Sequence, residues 1–567
     1  MRKSLFLLYI IIGWSCASQT TPTGGPKDEI PPKLINTNPK EGSINVRTNS
    51  IELDFNEAIL LEKPKEQIII TPFEKDVEYT FRKNKVVLKF KNQLKDSTTY
   101  TFNFRESVKD LTEKNPAVDV TLAFSTGNYI DSLSISGVCY ELLTGKYIPN
   151  VTVALQPATD TFNIFKHKTR IITKTDPETG KFKFTNLKPG KYQIYAFTDK
   201  NNNLLVESQS ELYAYKKEFL NLTTDKDSIY LPLIKVDNRP IKLVNKRDVQ
   251  NYYNLKFNKS FSEIKHITDA KNIFVNYTEK NTSLRIYNSG KEDSVLLRLI
   301  ITDSVKQTLD TTFYAKFNHA YDSKRKEKFK SEFGKATYYS KGSNIYFNLT
   351  FNKPVKTINT DSLFIQYDSI SRETINLKDI KIDTTLNTIS ITKELQQFKT
   401  VPQAISKNKS TDNKKKEEKP FLYIGKGSFI SIDNDSITSK KTDLTILKEE
   451  DLAKIYIEPE NENQIYQLLT TKGEVTKSTT GIKNKVFENT LPADYLLRVI
   501  QDLNNNGKWD PAIPEMQQEA EPIYYYFNDE GFPNFFVKAN WDYGPLLIKP
   551  NLPVYKLGKE KKKPTNR

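Results

Sequence analysis

Short runs along this chain alternate apolar and polar residues with a period of two. Ile51-Glu-Leu-Asp-Phe55, Val86-Val-Leu-Lys-Phe90 and Tyr100-Thr-Phe-Asn-Phe104 are examples. That period places every second side chain on one face, as in antiparallel strands with one face buried. Turn residues such as Asn84 and Asp96-Ser97 separate the runs at the spacing of β-sandwiches. Helical periodicity is nearly absent. The pattern predicts an all-β chain of tandem sandwiches.

Two internal repeats divide it. Leu53-Asp-Phe-Asn-Glu-Ala-Ile59 recurs as Leu255-Lys-Phe-Asn-Lys-Ser-Phe261 and as Leu349-Thr-Phe-Asn-Lys-Pro-Val355. Each reads as a strand with Leu and Phe inward, ending in Asn and a turn. In the second repeat, Asn186-Leu-Lys-Pro-Gly-Lys-Tyr192 leads through a strand to Asp199-Lys-Asn201-Asn-Asn203. Its counterpart, Leu491-Pro-Ala-Asp-Tyr495, leads to Asp502-Leu-Asn504-Asn-Asn506-Gly507.

The first repeat carries a resemblance. Pro31-Pro32, Asn38-Pro39, Leu53-x-Phe55-x-Glu57-Ala58-Ile59 and the closing Phe124-Ser-Thr126 resemble the bacterial Ig-like domain of S-layer-type proteins and Bacteroidota lipoproteins. The second pair, with Ile135-Ser-Gly-Val138 ahead of its first copy, resembles prealbumin-like or carboxypeptidase-regulatory-like modules. Ala493 departs from that pattern, which has glycine there. The resemblances imply tandem Ig-like and prealbumin-like β-sandwich domains used as stalks and spacers.

Expected boundaries follow. A leader covers 1–15, a tether 16–30, an Ig-like domain 31–128 and a prealbumin-like domain 132–236. Two more Ig-like sandwiches cover 237–335 and 336–450, the latter with a lysine-rich insert at 404–420. A second prealbumin-like domain covers 451–552, and a basic tail 553–567.

The leader changes the setting. Arg2 and Lys3 precede the apolar Leu5–Ile12, and Gly13-Trp14-Ser15 precedes Cys16. This resembles a bacterial lipoprotein signal, which implies acylation of Cys16 and a lipid-anchored body. Each buried CH2 of such a chain contributes ~0.8 kcal/mol to anchoring. Trp14 is larger than that pattern usually carries. Beyond Cys16 the one cysteine is Cys139, so no disulfide can form within the body, and Cys139 reads as a buried small hydrophobe.

Hydrophobic residues reach 37% and aromatics 11%, a mixture suited to half-buried strands with polar outer faces. The net charge of +16 does not argue for nucleic acid. The lysines are spread along strands as a solvated face, and the dense runs Lys414–Lys416 and Lys561–Lys563 fall in the insert and the tail.

Catalytic chemistry is hard to find. His167, His266 and His319 lack zinc spacing or a serine partner, and no phosphate or dinucleotide fingerprint occurs. The best candidates are the two acidic loops. Asp502, Asn504, Asn506 and Asp510 place oxygens at alternate positions, Gly507 permits the turn and Lys508 can offer its carbonyl, as in a calcium loop. Ile513 stands where a bidentate Glu would close such a loop, with Glu515 further on. The weaker first loop offers Asp199, Asn201, Asn203 and Glu207. The alternative reading is an Asn-rich turn with no metal.

Asp131, Asp227, Asp293, Asp303, Asp361, Asp368 and Asp435 are each followed by Ser and an apolar residue. The pattern resembles an O-glycosylation sequon, and it also describes a turn feeding a strand.

The expectation is a non-enzymatic scaffold or binding protein, anchored at the outer membrane or cell surface. Its partner would be an envelope protein or a glycan. A carbohydrate-processing or peptidase enzyme with its site between Arg239 and Glu450 is the alternative.

Overall fold

The computed structural model describes residues 28–158, 162–249, 252–278, 281–290, 292–317, 327–368, 370–383, 387–396, 419–460, 462–481 and 486–548. Cys16, His319, both dense lysine runs, most of the tether and insert, and the tail lie outside them. The described chain is an all-β, multi-domain sandwich protein, and among the described residues its one α-helix is Pro64–Gln67. Its strands group into five units.

The first, third and fourth units share a four-strand pattern or its elaboration. In the first, Leu34–Asn38, Ser50–Phe55, Lys85–Phe90 and Val77–Arg82 lie side by side in that order. A second sheet, formed by Ile69–Thr71, Thr99–Asn103 and Thr121–Ser125, completes this unit. The third repeats the order with Leu243–Val249, Tyr252–Phe257, Ser283–Asn288 and Ile273–Thr278.

The Leu-x-Phe-Asn repeat explains the likeness. Leu53, Phe55, Leu255, Phe257, Leu349 and Phe351 are all buried. The Asn that follows ties down the lead-in strand. Asn56, Asn258 and Asn352 accept the backbone N–H of Lys33, Lys242 and Lys330 at 2.6, 2.8 and 2.8 Å. Asn258 and Asn352 also donate to the Pro240 and Lys328 carbonyls at 2.9 and 3.0 Å. One side chain thus supplies a donor and an acceptor to a backbone segment that has no ladder there.

The next position diverges. Glu57 in the first copy becomes Lys259 and Lys353, and both lysines are buried. Lys259 pairs with the buried Asp303, and Lys353 with Asp433 at 2.9 Å and Asp435 at 3.0 Å. Asp303 also accepts the N–H groups of Val305 and Gln307, both at 2.9 Å, so this Asp-Ser step builds a turn.

The fourth unit corrects one boundary. Ser331–Phe333 pairs with Asn344–Phe351, and Phe329 belongs to the same core, so this unit begins before residue 336.

The second and fifth units are copies of one topology. In the second, Lys181–Leu187, Leu133–Glu141 and Lys226–Leu233 form a sheet whose last pair is parallel. Ile171–Lys174, Thr152–Pro157, Gly190–Phe197 and Tyr213–Tyr215 form the facing one. The fifth repeats this with Val486–Thr490, Ala453–Glu458 and the parallel Asp542–Leu547, facing Val475–Thr480, Gln464–Thr470, Ala493–Gln501 and Ile523–Tyr525. Each parallel pair approaches closely at a glycine. A Cβ on Gly137 would lie 1.9 Å from the Ile229 carbonyl oxygen, and one on Gly544 would lie 2.4 Å from that of Tyr456. The two copies place that glycine on opposite members of the pair.

Each unit has its own core, and one further cluster crosses between units. Ala154, Ile172, Tyr195, Phe197 and Tyr213 of the second unit pack with Ile465, Ile500, Ala512, Ile523 and Tyr525 of the fifth. These second-unit residues alternate with Val153, Leu155, Ile194 and Ala196, which fill that unit's own core. The sheet is therefore apolar on both faces because the fifth unit covers its outer one.

Candidate functional site

The two acidic loops lie at the edge of this covered face. Their approach is identical in both copies. Asn186 and Asn489 turn the chain with φ of 58° and 53°, a left-handed conformation that Asn tolerates. Tyr192 and Tyr495 then donate their hydroxyls to the Lys188 and Leu491 carbonyls at 3.0 and 2.9 Å. Ala493, in place of Gly190, leaves this corner unchanged. The strands Gly190–Phe197 and Ala493–Gln501 carry the chain on to Asp199 and Asp502.

The loops match bond for bond. Asp199 accepts the N–H groups of Asn203 and Leu204 at 2.9 and 3.1 Å. Asp502 accepts those of Asn506 and Gly507 at 3.1 and 2.7 Å. Asn201 and Asn504 accept the Asn203 and Asn506 N–H groups at 3.2 and 3.1 Å. Asn203 and Asn506 in turn accept those of Leu205 and Lys508 at 2.7 and 2.8 Å. Across the loop, Glu207 accepts the amide groups of Asn201 and Asn203 at 3.0 and 2.8 Å. Asp510 accepts those of Asn504 and Asn506, the latter at 2.8 Å.

A third carboxylate, missed in the sequence, closes each loop. Glu211 accepts the N–H groups of Lys200 and Glu207, both at 2.9 Å. Glu521 accepts those of Leu503 and Asp510 at 2.7 and 2.9 Å. Its signal was its place just ahead of the next strand, Ile523–Tyr525. Burial pushes both glutamates above the ordinary carboxylate range, against the pull of those N–H groups. Burial raises Asp199 as well.

The donor set of the second loop is oxygen-bearing, as a hard cation requires. Here the amide NH2 groups of Asn504 and Asn506 face Asp510, so the loop satisfies its own polar groups. A half-turn of both amides would exchange those hydrogens for oxygens. Among the described residues no three His, Cys, Asp or Glu side chains are gathered to hold a metal ion.

Other candidates are structural. Cys139 is buried, and burial raises its thiol far above the ordinary range, which keeps it unreactive at neutral pH. His167 accepts the Asn163 N–H at 3.0 Å within a turn, and His266 is exposed on Glu263–Ile267.

The seam between the units is polar at its rim. Tyr213 donates to the Ala512 carbonyl at 3.2 Å, and Tyr525 donates to that of Leu143. Glu519 takes Lys216 at 3.2 Å and the Lys217 N–H at 2.8 Å. The first unit joins from the other side, where Thr71 donates to the Ile172 carbonyl at 2.7 Å and Phe73 and Arg170 exchange bonds.

Residues 28–126 match the family model of the bacterial Ig-like domain. No curated protein matches the chain. Among solved structures, the chain is similar to the N-terminal part of the bacterial S-layer protein SbsC, at 11% identity and a TM-score of 0.14. That likeness covers 51% of this chain and 44% of the other, so this chain spans less than half of that structure. SbsC domains 1–6 align at 11% identity over 90% of this chain and 67% of theirs, with a TM-score of 0.13. Escherichia coli alpha-2-macroglobulin aligns at 8% identity over 87% of this chain and 42% of its own, with a TM-score of 0.12.

Proposed function

We propose that this protein is a lipid-anchored, non-enzymatic scaffold or binding protein of the outer membrane or cell surface, serving as an accessory subunit of an envelope assembly or transport machine. The observation that carries it is the covered sheet face: two homologous units far apart in sequence hold one another, and the first unit is fastened to the same block. Such a block offers a fixed surface and spends its apolar faces on its own units. The third and fourth units, inserted between the two partners, present further edges to an envelope protein or a glycan.

Acylation of Cys16 would supply the anchor. Among the described residues no helix is long and apolar enough to cross a membrane. The second and fifth units would then be prealbumin-like spacers.

Calcium at Asp502, Asn504, Asn506, the Lys508 carbonyl and Asp510 belongs to the same proposal, with the loop of Asp199, Asn201, Asn203 and Glu207 as the weaker site. Extracellular modules bind calcium at ~10⁻⁴–10⁻³ M. A saturable rise in Tm over that range supports the metal; an unchanged Tm with calcium and with chelator removes it.

Purification from native membranes with the anchor intact tests the main reading. Recovery in a stable outer-membrane complex supports it, and solitary behaviour contradicts it. Cys16→Ser should release the protein from membranes.

A further inference from the structure

Between the first and second units lies a cavity of about 410 Å3, whose lining includes Ile69, Phe182, Arg105, Lys174, Lys181 and Lys183. Its size falls within the ~300–1,000 Å3 of small-molecule clefts. Two of these cations are half-buried and tied to neutral oxygens. Arg105 donates to the Thr175 carbonyl at 3.1 Å and to the Asn150 amide oxygen at 3.4 Å. Lys174 donates to the Glu66 carbonyl at 3.1 Å. Neither forms an ion pair among the described residues, whereas nearby Arg170 and Lys109 each have a carboxylate partner.

Asp176 also lines the cavity but accepts the N–H groups of Glu178 and Thr179 and the Thr179 hydroxyl. Glu106 and Asp119 line it from exposed positions. Burial lowers the proton affinity of both Arg105 and Lys174, and Arg105 adds to the effect on Lys174; Glu106 and Asp176 oppose it at Arg105, and Asp199 and Glu66 oppose it at Lys174. Two half-buried cations side by side, neither with a carboxylate at ion-pair distance, favour an added oxyanion.

The Arg105 backbone is left-handed, with a φ of 47°, and its N–H donates to the Asn103 side chain at 2.9 Å; the guanidinium reaches across the unit boundary to Asn150 and Thr175. A tie between units would need only the carbonyl bonds. It leaves a planar fork suited to oxyanions and two ammonium protons of Lys174 to spare.

We propose that this cavity binds a phosphoryl or sulfuryl oxyanion carried on a group of about monosaccharide size, held between Arg105 and Lys174, with the sugar over Ile69 and Phe182. Binding there would also stiffen the joint between the two units.

Calorimetry and thermal unfolding of the full chain, at fixed ionic strength so that screening is constant, test this with inorganic phosphate, glucose 6-phosphate and glucose. The expected result is saturable binding of both phosphates, glucose 6-phosphate at least threefold tighter, and none of glucose. Lys174→Gln should weaken binding at least tenfold and Arg105→Lys should retain part of it. Lys89→Gln, on a remote strand, should leave it unchanged. Absence of saturable binding, or equal binding by Lys174→Gln with its native circular dichroism intact, would overturn the proposal. Equal affinity for phosphate and glucose 6-phosphate would overturn the sugar-sized ligand.

Discussion

The Tyr213 hydroxyl donates to the Ala512 carbonyl across 299 positions of sequence. It also accepts the side-chain amide of Asn238, where the chain leaves for the third unit. One buried phenol therefore joins three segments: the covered sheet, the unit that covers it and the exit to the inserted pair.

Tyr213→Phe should leave the Ala512 carbonyl and the Asn238 amide without this partner. The expected loss is ~1–3 kcal/mol, read from denaturant midpoints. Tyr314→Phe, exposed on Thr308–Lys316, should change nothing measurable.

Lys353 is 1% exposed in its side chain and holds two aspartates. Removing one side of a buried ion pair leaves the other charge uncompensated, so Lys353→Met should cost the fourth unit ~3–5 kcal/mol. Adding Asp433→Asn and Asp435→Asn should recover part of the loss. Thermal unfolding that shows Lys353→Met at the wild-type midpoint would refute the assignment.

Asn352→Ala frees the Lys330 N–H and the Lys328 carbonyl. A cost of ~1 kcal/mol is expected, because both freed groups lie where water can reach them. Denaturant titration of the variant measures it.

The pH dependence of stability follows from Glu521, whose pKa burial raises in the folded state. Between the unfolded value, ~4.3, and the raised one, the folded state binds more protons than the unfolded state. The contribution of Glu521 to stability therefore falls as pH rises through that window and is fully present below it. Glu521→Gln should flatten this slope in a series of melts from pH 4 upward. An unaltered slope would show that the carboxylate titrates normally.

Much of the fold was legible because half-buried strands advertise themselves. The alternation at Ile51–Phe55 and the Leu-x-Phe-Asn repeat mark inward faces directly. The acidic loops were legible as turns, since Asp and Asn at alternate positions cap successive N–H groups. Their closing carboxylates were not, because Glu211 and Glu521 reach the loop through folding of the following strand. The seam between units was written in Tyr192-Gln-Ile-Tyr-Ala-Phe197, whose near-continuous apolar run denotes burial on both faces. Nothing in that run says what covers the second face, since the partner lies hundreds of residues away. Arg105 and Lys174 were equally silent, being two cations among many until the first two units bring them together.

Zero-length carbodiimide coupling of the monomer tests the covered face most directly. Lys216 and Glu519 lie 3.2 Å apart across the seam, and Lys85 and Glu52, 2.8 Å apart within the first unit, give an internal control. Peptide mass spectrometry should recover both links from the monomeric band at low protein concentration. Recovery of the 85–52 link without the 216–519 link would contradict a scaffold in which the second and fifth units hold each other.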